Sequence, residues 1–142
     1  MFEGPLLEEL RQIIVDEGPT HSGALVGPFT RRRADRRLTG LDQVIAELQQ
    51  GRWVVAALRV TDAFAADGAG IVLPDGPGRA GHAVIAVGAA TVMGDQLQPH
   101  LSGGDRLLCI RNSWGSGWGA DGHKLITEVA FNSTHIVSLA LD

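Results

Sequence analysis

Two apolar runs, each ending in polar groups of defined chemistry, constrain this chain more than any other feature. The first is Gly81-His82-Ala83-Val84-Ile85-Ala86-Val87-Gly88, a strand-like segment with a histidine at its mouth. The second begins Leu107-Leu108-Cys109-Ile110-Arg111 and ends Asn112-Ser113-Trp114-Gly115. Gly115, Gly117, Gly119 and Gly122 follow at turn-like spacing around Trp118. A histidine alone at a strand start is ordinarily a surface or hydrogen-bonded residue. A carboxamide and an indole arriving together on a second strand suggest otherwise. An imidazole that must take a proton needs its other nitrogen fixed, and an amide oxygen does that. An indole over the contact excludes water and strengthens it.

These two motifs, in this order and about thirty residues apart, resemble the C-terminal half of papain-like cysteine peptidases. The resemblance covers roughly residues 41–140 and implies the His/Asn lobe alone of a two-lobed enzyme. It implies His82 as the general base, Asn112 as its orienting residue, Trp114 as the shield and Trp118 as part of the turn scaffold. It also implies that Ala57, Gly81 and Ala83 line the substrate side. His123 stands where the family usually has an aromatic residue, and is taken as a surface substitution. The implied fold is α+β, a papain-like right-hand lobe built on a curved antiparallel β-sheet, or half-barrel, with one or two N-terminal helices. Residues 1–40 are expected to form an N-terminal helix and an Arg-rich loop, and 41–142 the lobe itself.

The nucleophile of such an enzyme is missing from the sequence. Cys109 is the single cysteine among 142 residues. It lies three residues before Asn112 on the same strand, which puts the two side chains on opposite faces. Nothing around it resembles the helix N-terminus or cationic setting that lowers a thiol pKa, so a buried structural cysteine is expected. Ser22 is no substitute, because Gly23, Gly27 and Pro28 would break the helix that such a serine must open. The five histidines, with one cysteine, make no zinc-binding spacing, so neither metal nor cofactor is implied. The family's oxyanion donors belong to the absent lobe.

Elsewhere the chain is punctuated by glycine and proline. Leu6, Leu7, Leu10, Ile13 and Ile14 mark one face of a helix over 6–17, which either docks on its own core or serves as a homodimer or partner helix. Residues 18–40 read as loop. Within them Arg31-Arg32-Arg33-Ala34-Asp35-Arg36-Arg37 holds five of the twelve basic residues, either as a docking patch or as a solvated loop. A helix over 41–50 with Leu41, Val44, Ile45 and Leu48 inward precedes a buried strand over 53–60. Residues 61–80 read as a loop anchored by Phe64. Strands are expected at 82–92, 106–112, 123–130 and 134–140, without intervening helices.

A net charge of −4 argues against general nucleic-acid binding, and no run reaches the eighteen apolar residues of a membrane span. With one cysteine and no cationic, apolar leader, a cytoplasmic setting is the expectation. Two readings follow. In one, the lobe works with a Cys-bearing papain-like lobe supplied in trans, and is inactive alone. In the other, it is a stand-alone pseudoenzyme binding a peptide or protein ligand. In either case the face around Ala57, Ala83 and Trp118 is expected to need a cover, with the 6–17 stripe as the candidate.

Overall fold

Residues 34–68, 70–94 and 100–141 are described by a computed structural model, and seven strands with three helices account for their regular structure. The strands are β1 (Ala34–Leu38), β2 (Val54–Arg59), β3 (Ile71–Val72), β4 (Gly81–Thr91), β5 (Arg106–Arg111), β6 (His123–Thr127) and β7 (His135–Leu141). They form one open sheet in the order β1-β7-β2-β4-β5-β6-β3. Neighbours are antiparallel except β3 and β6, which run parallel. The class is α+β, as the resemblance implied, although the described residues hold three helices rather than one or two N-terminal ones and one strand pair is parallel. The expected 6–17 helix and Arg31–Arg33 lie outside the described residues.

Alternation decides which face carries the core. Along β2, Val54, Ala56 and Leu58 are buried, and their register partners Ala86 and Val84 on β4 and Ala140 and Ser138 on β7 are buried with them. The helix α1 (Leu41–Gln49) closes this face with Leu41 and Val44. Its third buried residue is Glu47 rather than a further apolar one, only 2% exposed. A desolvated carboxylate needs partners, and Glu47 has two, Arg36 on β1 and Arg52 after α1, each at 2.9 Å.

Three expectations change. Residues 34–38 are not loop but an edge strand paired with β7. Arg36 reaches Glu47 and Leu38 enters the core, while Arg37 stays exposed, which suits an edge that must resist further pairing. The strand expected at 123–130 stops at Thr127, and 128–134 is the helix α3 (Glu128–Thr134). Thr127 caps it by accepting a bond from the Ala130 amide at 3.2 Å, and Ala130 and Phe131 face the core. The β-branched and aromatic residues there imitate a strand, but the cap and the three-residue spacing prevail. Finally, 61–80 contains β3 and a one-turn helix α2 (Asp62–Ala65), whose Phe64 is buried as expected. Arg106 at the start of β5 joins both larger helices through Asp42 and Glu128.

One half-buried histidine should make the fold sensitive to acid. His135 bonds Ser138 Oγ through Nε2 at 2.8 Å and stacks on Phe131 at 4.6 Å. Burial holds its imidazole below the usual value of 6.5. The unfolded chain therefore binds a proton that the folded chain resists, so this site costs no stability above about pH 6.5 and destabilises the fold as pH falls below it. We expect the urea midpoint to drop between pH 7.5 and 5, and His135→Gln, which keeps a partner for Ser138 without titrating, to shrink that drop. An identical pH dependence in the variant would show that other groups control acid stability.

Candidate functional site

The β4–β5 register brings the site together. Ile85 pairs with Arg111, so Asn112 falls opposite Val84, on the core side of the sheet. His82 lies two residues further along β4 and shares that side, as its pairing with buried Leu58 shows. His82 and Asn112 are therefore diagonal cross-strand neighbours, within reach of long side chains. His82 Nε2 and Asn112 Oδ1 are 2.7 Å apart.

The amide oxygen also accepts the Ser113 backbone N–H at 2.8 Å. A backbone N–H can only donate, so this contact establishes which end of the Asn112 amide is oxygen. It follows that Nε2 carries a proton, and that in the neutral imidazole the lone pair is on Nδ1. No hydrogen bond engages Nδ1 among the described residues. The Asn112 amide nitrogen is buried and has no partner among them either.

Aromatic rings enclose the pair. Trp114 lies 4.9 Å from the His82 ring at 31°, and Phe64 meets both edge-on, at 6.1 Å from His82 and 5.5 Å from Trp114. Trp118, 3% exposed, backs Phe64 at 5.1 Å and donates its indole N–H to the Phe64 carbonyl at 3.0 Å. Trp114 itself is 46% exposed, so it covers the contact from one side only. Phe64 and Lys124, which also bonds the Phe64 carbonyl, complete the surroundings. Phe64 was legible as a loop anchor. Lys124 was not, because a lysine on a short strand reads as solvated.

The remaining candidates separate by face. Ala57 and Ala83 are register partners on the side opposite the core, and Ala83 is exposed. Exposed Gly81 lies beside them; a Cβ there would stand 3.3 Å from Ile136 Cδ1. Trp118 does not share their face, contrary to expectation, since its indole is drawn into the core by the Phe64 carbonyl. His123 is half-buried rather than a surface residue. Its Nδ1 donates to the Asp121 carbonyl at 2.8 Å, and its Nε2 is buried. Cys109 is half-buried on β5 opposite Gly88, and burial pushes its thiol pKa up. Six residues of strand separate that register position from His82, about 20 Å at ~3.3 Å per residue. No cluster suited to a metal ion occurs among the described residues.

Residues 30–141 match the profile of the papain family cysteine proteases. No curated protein matches the sequence. Solved structures do share its fold. A Carica candamarcensis cysteine protease in complex with E-64 superposes with a TM-score of 0.56 at 24% identity, over 80% of this chain and 50% of its own. Digestive procathepsin L2 from the Tenebrio molitor larval midgut gives 0.54 at 22%, over 73% and 32%. A structure from work on the mite allergens Blo t 1 and Der p 1 gives 0.53 at 28%, over 72% and 31%. The chain thus spans between 31% and 50% of the length of these relatives.

The turn after Asn112 generates a sharp contrast between two glycines. Gly119 has φ +62°, and a Cβ there would lie 2.1 Å from the His123 carbonyl oxygen; at Gly117 a Cβ would meet nothing within 4 Å. We expect Gly119→Ala to lose more than the ~1–3 kcal/mol of positive-φ strain alone, because the backbone must also move. Gly117→Ala should stay within about 0.5 kcal/mol of the parent. Denaturant titration checks both, and equal losses would contradict the assignment of the turn.

Proposed function

This chain belongs to the papain family of cysteine proteases, and from that premise we propose that it supplies the general base and its orienting amide for peptide-bond hydrolysis. The thiol comes from a Cys-bearing lobe outside these 142 residues. The observation that carries the reading is the doubly bonded Asn112 oxygen, which leaves the lone pair of His82 on Nδ1. In that tautomer Nδ1 can take a proton from a thiol while Nε2–H stays bonded to Asn112, which stabilises the imidazolium that results. The thiolate then attacks the peptide carbonyl, and the imidazolium returns its proton to the leaving amine.

A second reading has one observation in its favour. The only thiol of the chain, Cys109, is remote from His82 and pushed toward its protonated form by burial. A stand-alone module that binds a peptide or protein without cleaving it is compatible with that.

Complementation separates the two. The isolated chain should show no turnover of a fluorogenic peptide. Fusing the Cys-bearing lobe of the Carica relative ahead of residue 34 should confer hydrolysis, and His82→Ala should then lower it by about 10²–10⁴-fold, the usual worth of a positioned base. A folded fusion whose activity is indifferent to His82 would overturn the catalytic reading in favour of the binding module.

A further inference from the structure

Lys124 occupies a position where the sheet calls for an apolar residue. It lies on β6 opposite Ile110, which is fully buried, and is itself 5% exposed. Burying an ammonium is costly unless acceptors surround it, so a lysine here needs a reason beyond filling space. Its Nζ donates to the Phe64 carbonyl at 3.3 Å and the Ala66 carbonyl at 2.5 Å, and stands 4.8 Å from the centre of the Trp118 ring. Both carbonyls are at the C-terminal end of α2, where a helix leaves acceptors unfilled and favours a cation. The Phe64 carbonyl therefore receives two donors, Lys124 and the Trp118 indole. At its other end α2 is held by the Thr61 cap to the Phe64 amide and by Asp75 to the Ala63 amide.

What this anchoring places is the Phe64 ring, which contacts the rings of His82, Trp114 and Trp118. A four-residue helix has little stability of its own, so its position depends on such anchors. We propose that Lys124 is a positioning residue for the His82–Asn112 pair: its ammonium clamps the C-terminal carbonyls of α2 so that Phe64 holds the imidazole against Trp114 and Asn112. The proposal rests on reading His82 as the base. Lys124 touches no substrate in this scheme and acts only through Phe64.

NMR of the full chain provides the test. The His82 Nε2–H resonance should be observable in the parent chain, because the proton is bonded and covered. Lys124→Met keeps the aliphatic stem and removes the donors. It should broaden that resonance beyond detection and speed amide exchange at Ala65 and Ala66 at least tenfold, since those amides close the turn of α2. Lys124→Arg keeps the cation but cannot seat it on both carbonyls in the same way, and should shift the His82 resonance without removing it. Unchanged His82 and α2 signals in a folded Lys124→Met overturn the proposal. If that variant does not fold, Lys124→Arg decides alone, and an unmoved His82 resonance in it overturns the proposal. Asn112→Ala distinguishes the underlying reading. If the Nε2–H resonance survives that substitution, the base–amide pairing itself fails; if it is lost there but kept in the lysine variants, only the role of Lys124 fails.

Discussion

The pairing of Ile85 with Arg111 is the constraint on which the site depends. Side chains alternate across a sheet with period two, so a slip of one residue between β4 and β5 would send His82 and Asn112 to opposite faces. In the observed register they become diagonal neighbours on the core side, and a 2.7 Å contact follows, the register irregularity of β4 and β5 lying further along, between Ala86 and Gly88. The register is itself held by burial. Val84, Ala86, Leu108 and Ile110 must all face inward together, and a slip of one residue would put one strand's pair on the wrong face.

A second layer of organisation is the distribution of donors around a few acceptors. Asn112 Oδ1 takes His82 and the Ser113 amide; the Phe64 carbonyl takes Trp118 and Lys124. Each shared acceptor joins segments remote in sequence, and each lies among aromatic rings where the local dielectric is low and an unmade bond is costly. Such arrangements set orientation rather than bulk stability. The imidazole ends up with one nitrogen committed to the fold and, among the described residues, no hydrogen bond at the other.

On the proposed reading, the same geometry prepares one half of a reaction. It presents an imidazole bonded to an amide oxygen beneath a hydrophobic cover, and the cover is one-sided because Trp114 remains half exposed. The acid–base half of acyl transfer can be prepared in this way on one sheet. On that reading the nucleophile comes from outside these 142 residues. Cys109, on the outer face of β5, is kept from that role by distance and by burial.

The sequence by itself determined the family, the α+β class and the meeting of the His82 and Asn112 motifs. Those are properties of residue type and spacing, which local patterning records directly. Burial of Phe64 was legible for the same reason, as a lone aromatic in a loop of small residues. Tertiary structure alone decided the rest. It made Arg36 and Arg37 part of an edge strand, because pairing with β7 and the buried Glu47 outweighs the preference of charged residues for loops. It turned 128–134 into a helix, because a threonine cap and inward Phe131 override strand-like composition. It drew Trp118 away from Ala57 and Ala83 and buried Lys124, because the carbonyls that attract them belong to α2, some sixty residues earlier in the chain. Contacts between such distant segments leave no periodicity in the sequence and exist only once the sheet has assembled.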